Sequence, residues 1–379
     1  MSLTNESKYL LDYFFQHNLL DIKKTTISKN CFLYIYNIFL NYTSINYERI
    51  IKRKKINTLS DSTFLSSTII NYINNNKSIC VIYKFKLFSR QINLYYYIFS
   101  DKPDINYLDT YTNYVGMILY LLSLHSIKQC NKELNILIYL TPFTRNLSSE
   151  LNVVLDVNNI NGGYTYFCHE HGSIVIFRKQ EWLKVLIHEC FHSFGLEFSN
   201  LDLRHFNEEI KKLFPIDSKF NIFEAYTEMW AEIINICLIS FLYSKGDYKI
   251  YLYYLYNFLI YEKEFSIFQF EKILNYYNLK YKDLLKKGNN YRENTNVFAY
   301  YIIKTLFMEN INEFIEWCFN NNINYFNFKK DEKTLNLFLK FIKKIFNKTK
   351  FLPKYNFNLL SKNKDSFIFK NLRMTAIEI

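Results

Sequence analysis

Residues 181–194 read EWLKVLIHECFHSF, and inside them His188-Glu189-Cys190-Phe191-His192 is an HExxH motif. Trp182, Leu183, Val185, Leu186, Ile187, Phe191 and Phe194 surround it with apolar side chains on nearly every side. That pattern predicts a buried helix, stopped by Gly195 just past its end. Residues i and i+4 share a helix face, so His188 and His192 aim their imidazoles at one point. Glu189 lies about 100° further round the helix. It is near enough to reach an activated water and too far round to ligate. Two histidines and a glutamate inside an apolar helix are costly unless something satisfies them. A divalent ion such as zinc does so. Main-chain carbonyls bonded to two core histidines are the other reading.

A second stretch, FEAYTEMWAE at 223–232, tips that balance. Glu224, Glu228 and Glu232 recur every four residues and form a carboxylate row on one helix face. Such a row repels itself when it faces nothing. Facing a zinc site, Glu224 serves as a third protein ligand, and Glu228 accepts the outer N–H of a ligating histidine. A solvated acidic face is the alternative, and for Glu232 both stay open. Ala225 and Ala231 are small enough for another helix to come close. Three protein ligands leave a fourth position for water, as in catalytic zinc sites.

These two segments resemble the gluzincin clan of zinc metallopeptidases, the thermolysin-like branch. There an HExxH helix is followed by a second helix with the pattern N-E-x-x-S/T-D. FEAYTE at 223–228 matches it with Phe for Asn and Glu for Asp. The resemblance covers roughly residues 134–235, about a quarter of the chain. It implies Zn2+ as cofactor, His188, His192 and Glu224 as its ligands, and Glu228 orienting His188. It also implies peptide-bond hydrolysis by a zinc-activated water, with Glu189 as general base. The metzincin clan wants a third histidine where Phe198 stands, and is rejected. HECFH and EAYTEMWAE, in a composition favouring AT-rich codons, are also similar to metallopeptidase-like proteins of large DNA viruses.

Zincins carry an edge strand beside the cleft. Asn161-Gly162-Gly163-Tyr164-Thr165 is expected to be that edge, with Gly162, Gly163 and Tyr164 meeting an extended peptide. A plain turn at Gly162-Gly163 is the equal alternative. For the oxyanion-stabilising group, Tyr291-Arg292-Glu293 and Tyr300-Tyr301 are candidates. Cys168-His169-Glu170-His171 is read as a surface turn.

The rest of the chain sets limits. It has 379 residues, 49% hydrophobic and 22% charged, which is globular composition. Seven Gly and 4 Pro against 34 Tyr and 36 Phe exclude collagen-like and Pro/Gly-rich classes and speak against a turn-rich all-β fold. Strands are expected at 79–88, 92–100, 134–140, 161–167 and 173–178, and a helix at 109–126. The expected class is α+β: a zincin-like catalytic core, a small mixed sheet plus the HExxH helix, with large helical N- and C-terminal parts. The expected domains are a helical region 1–75, a sheet-bearing part 76–200, a helical part 201–347 with the third ligand, and a basic tail 348–379.

The formal charge is +12, and residues 329–379 hold 13 Lys+Arg against 4 Asp+Glu. That tail can hold nucleic acid or an acidic partner, or be a solvated surface. The seven scattered Cys, with no CxxC pair, read as reduced thiols of an intracellular protein. No secretory signal is seen, and no apolar run approaches the roughly 18 residues of a membrane span. The competing functional class is a non-catalytic zinc-bearing structural or nucleic-acid-binding protein of a virion. Glu189 separates the two, because a purely structural site has no use for it.

Overall fold

The computed structural model describes residues 2–20, 29–53, 59, 63–148, 150, 153–349, 353–355, 357 and 367–379. The chain begins with α1 (Asn5–Gln16), α2 (Lys29–Leu40), β1 (Glu48–Arg53) and α3 (Ser67–Asn75). It continues through β2 (Ile79–Leu87), β3 (Arg90–Ile98), α4 (Ile105–Ser123), β4 (Glu133–Tyr139) and α5 (Val157–Ile160). Then come β5 (Gly163–Thr165), β6 (His171–Ile176), α6 (Trp182–Ser193), α7 (Arg204–Leu213), α8 (Ile222–Ser244) and α9 (Tyr248–Tyr276). After α10 (Tyr281–Leu284) a π-helical turn, Phe298–Ile303, runs into α11 (Lys304–Glu309). The described elements close with α12 (Ile311–Asn321), α13 (Glu332–Lys348) and α14 (Phe367–Lys370). The class is mixed, helices with one six-stranded sheet. The chain forms two compact units, Asn37–Arg145 with Asn161–Glu197, and Met1–Tyr36 with Asn146–Ile160 and Phe198–Ile379. Each unit is thus assembled from separated segments of the chain.

The first of these units holds the sheet, in the order β1-β2-β3-β4-β6-β5. The pairs β1/β2, β2/β3 and β6/β5 are antiparallel, while β3/β4 and β4/β6 are parallel. Parallel neighbours need a crossover, and α4 supplies the one between β3 and β4. Alternation sorts the two faces. Tyr139, Val175 and Phe177 pack with Ile69, Ile70 and Ile73 of α3. On the opposite face, Tyr96 meets Trp182 of α6 edge-on at 5.8 Å. Ile136, Ile138, Ile174 and Ile176 are buried completely.

Strand β1 corrects the reading of residues 1–75 as helical. Its sequence ERIIKR has no clean period, but Ile50 and Ile51 face Ile82 and Val81 of β2. The charged residues around them suit an outermost strand, which must discourage pairing with other chains. The cysteines need a second correction. Cys31, Cys80, Cys190, Cys237 and Cys318 are buried free thiols, but Cys130 and Cys168 form a disulfide. The two lie 38 residues apart, so spacing gave no sign of the pairing, and the compartment argument from reduced thiols falls away.

In the helical unit, α8 and α9 are joined through Lys245 and Gly246, both in the left-handed region at φ 51° and 86°. Asp247 caps α9 by accepting from the amides of Lys249 and Ile250 at 2.8 and 3.0 Å. By length and composition α8 is apolar enough to cross a membrane, contrary to the reading that no run is long enough. Some 89% of its most apolar window is buried within the protein. The basic tail is corrected as well. Leu372, Arg373, Thr375 and Ile377 are core residues, each no more than 1% exposed. Buried Glu262 accepts the amides of Ala376 and Ile377 at 2.9 and 2.8 Å, and Tyr301 donates to the Leu372 carbonyl at 2.5 Å. An apolar LRMTAI sequence outweighed the charge count over the longer stretch. Residues 350–352, 356 and 358–366 of that tail lie outside the described residues.

Candidate metal centre

Helix α6 starts at Glu181, which holds a left-handed backbone at φ 57°. The Glu181 carboxylate caps no amide there and forms a buried ion pair with Arg145. The helix ends in a Schellman turn. Leu196 N–H donates to Phe191 O at 2.8 Å and Gly195 N–H to His192 O at 3.0 Å. Gly195 sits at φ +65°, and a Cβ there would stand 2.8 Å from Ile127 Cδ1. Cys168 N–H also donates to His192 O, at 3.2 Å, so the disulfide-bearing segment reaches the helix end.

On α6 the two imidazoles converge, with Nε2 of His188 and Nε2 of His192 at 3.2 Å. Nδ1 of His192 lies 3.2 Å from Oε1 of Glu197, a residue with no exposed surface. Two nitrogens bound tetrahedrally at the usual zinc distances stand about 3.3–3.4 Å apart, so the pair has the spacing of such a site. Glu189, 6% exposed, points its carboxylate at the last strand of the sheet. A Cβ built on Gly163 would stand 3.1 Å from Glu189 Oε1, 2.9 Å from Val185 Cγ1 and 3.0 Å from the Val175 carbonyl. The glycine is what lets strand and carboxylate come together.

On α8 the row of glutamates separates by partner. Glu224 Oε2 accepts the Tyr300 hydroxyl at 2.8 Å, from the π-helical turn. Glu232 is fully buried and ion-paired to Lys304 at 3.0 Å, so neither of its two sequence readings, zinc-facing or solvated, describes it. Glu228 is 2% exposed. One ligand atom each from His188, His192 and Glu224 fall within 4.8 Å of one another. Among the described residues no other group of three His, Cys, Asp or Glu side chains meets that test.

The other residues singled out from sequence fall as follows. Gly163 and Tyr164 lie in β5, the terminal strand, and Gly162 precedes it. Phe177 N–H donates to Gly162 O at 3.0 Å. In an antiparallel ladder the hydrogen-bonded pairs alternate, so Gly163 and Thr165 turn their main-chain groups away from β6. Gly162 has a packing reason of its own, since a Cβ there would meet Arg145 Nη2 at 2.3 Å. Tyr164 points to the α3 face and stacks on Phe64 at 5.7 Å. Tyr291 spends its hydroxyl on Glu293 at 2.6 Å and Tyr301 on a main-chain carbonyl, which leaves Tyr300 as the candidate tyrosine that reaches a site residue. Glu170 is exposed and contacts Lys132 in the turn between β5 and β6, while His171, also exposed, opens β6 and lies 3.4 Å from Glu133 of β4.

Sequence reasoning missed Glu197. The available signal was one carboxylate in the apolar run FHSFGLEF, two residues past the helix-ending glycine. Comparison with protein families, with curated proteins and with solved structures found no match.

Proposed function

We propose that the chain is a zinc-dependent metallopeptidase built on a zincin-like core. The observation that carries this reading is the convergence of His188, His192 and Glu224 within 4.8 Å. Beside the two histidines stands Glu189, which a ligand set of three does not need. Bound by those three side chains, zinc would supply a Lewis acid and a water more acidic than bulk solvent. The chain's own groups do the rest. Glu189 takes the proton of the attacking water on a carboxylate oxygen and hands it to the leaving amine. Glu228 holds the outer N–H of His188, which fixes that ring. The Tyr300 hydroxyl donates its single proton to Glu224 Oε2 at 2.8 Å, and it serves the oxyanion by turning that O–H from Glu224 to the developing charge. An extended peptide adds to β5 as a further strand, using the main-chain groups of Gly163 and Thr165. Binding of nucleic acid by the tail draws no support from Lys348, Lys354 and Arg373, each of which pairs with a carboxylate of the chain.

The test sets metal analysis beside a peptidase assay, on the wild type and on Glu189→Gln. The variant loses the proton acceptor and no ligand. Hydrolysis should fall about 10²–10⁴-fold with zinc content unchanged. Zinc without hydrolysis in the wild type would favour the non-catalytic reading, and full activity in the variant would sink the mechanism.

A further inference from the structure

We infer that Glu197 is a positioning residue for the metal: through its bond to His192 Nδ1 it fixes the tautomer and orientation in which His192 ligates. The inference rests on the metal-binding part of the function proposed above and adds a residue to it. A neutral imidazole carries one N–H, and the group that takes that proton decides which nitrogen keeps a lone pair. Glu197 Oε1 lies 3.2 Å from Nδ1. A carboxylate there accepts the Nδ1–H, so Nε2 of His192 presents its lone pair toward His188 Nε2, 3.2 Å away.

The backbone explains why a residue five positions on can do this. A helix would carry position 197 onward past the end of α6. The Schellman turn, with Gly195 at φ +65° and Leu196 N–H returned to Phe191 O, reverses the chain and brings Glu197 back beside the last helical turn. Burial adds an independent argument. Glu197 has no exposed surface and lies between Leu196 and Phe198, which are also fully buried. A carboxylate in such surroundings is kept only where hydrogen bonds and charge repay its desolvation. An imidazole whose far nitrogen faces a cation is a partner that does so. The pattern is one carboxylate per ligating histidine: Glu228 of α8 for His188, as proposed above, and Glu197, from the turn that ends α6, for His192.

The experiment has a metal-free arm and a metal arm. In zinc-free protein, the imidazole nitrogen-15 shifts of His192 should report the Nδ1–H tautomer, and Glu197→Ala should lose that bias. In the metal arm, zinc affinity is measured by competition with a chromophoric chelator. Glu197→Ala should raise the zinc dissociation constant about 10–100-fold. Glu197→Gln keeps the volume and an acceptor but loses the charge, and should raise it about tenfold. Cobalt in place of zinc should show a shifted visible spectrum in both variants. If Glu197→Ala does not fold, the Gln variant alone decides. Wild-type affinity and an unchanged tautomer in the folded variants, whatever their stability, would overturn the proposal. A wild type that binds no zinc would overturn the metal reading itself, and the tautomer arm would still decide whether Glu197 controls His192.

Discussion

Glu293 sits at the foot of the π-helical turn that carries Tyr300, and its surroundings set its ionisation. The side chain is 6% exposed. It accepts the Tyr291 hydroxyl and the Phe298 amide, both at 2.6 Å on Oε2, while Oε1 meets no donor. Burial raises its pKa from 4.5 to about 8, against the smaller opposing pull of those two hydrogen bonds. The folded value lies above the unfolded one, so the group's contribution to stability is full below about pH 4.5 and is lost as pH rises through about 8. Glu293→Gln cannot ionise. Urea unfolding should therefore show the wild type losing ground to the variant between pH 5 and 8.5, by at most about 5 kcal/mol. Parallel stability curves would refute the assignment. The same residue marks a limit of legibility. Tyr291-Arg292-Glu293 offered the chemistry of an oxyanion site, but three letters cannot say that the hydroxyl is spent on its neighbour. His188, Glu189 and His192 were legible because their geometry is that of one helical turn. Glu197 was not, because its aim depends on a reversal of the chain.

At the scale of elements, β5 and α6 form one working piece, and Gly163 is where they touch. If β5 receives an extended peptide, a side chain at position 163 obstructs that strand. The contacts found make the obstruction internal, because the carboxylate of Glu189 occupies the space a larger residue would need. Gly163→Val must push aside Val185, the Val175 carbonyl or Glu189 itself. It should cost about 1–3 kcal/mol of stability and lower kcat more than it raises KM, with zinc still bound. Separate measurement of kcat and KM decides the point, since a variant changed only in KM would restore the substrate-obstruction argument. Most helices and the strands β2, β3, β4 and β6 were legible in their periodic or β-branched runs. β1 was not, because an outer strand with charged residues carries little hydrophobic pattern.

At the scale of the molecule, the Cys130–Cys168 disulfide closes a long loop onto the end of α6. For 38 residues the loop-closure model gives about 4 kcal/mol, so the double variant Cys130→Ser, Cys168→Ser should unfold at markedly lower urea concentration. Equal midpoints with and without the bond would show that it adds nothing. No spacing rule pairs those two among seven cysteines. The interleaving of the units was hidden for a related reason: composition changes gradually along the chain, while the units are defined by contacts between distant segments.

That interleaving has a kinetic consequence. The two stretches of the sheet-bearing unit are separated only by the fifteen residues Asn146–Ile160. The helical unit must instead gather its opening helices from the far side of the chain. Tyr36 donates to Gly246 O at 2.5 Å, Tyr251 to Phe32 O at 3.2 Å and the Glu378 amide to Ser7 Oγ at 2.9 Å, across 210, 219 and 371 residues. The entropy of closing a loop grows with the logarithm of its length, by about 0.6 kcal/mol per doubling, and distant contacts slow folding in proportion. The sheet should therefore consolidate early in refolding, and α1 should gain its protection last although it comes first in the sequence. Pulse-labelled hydrogen exchange can time the amides of α1 against those of β3 and β4.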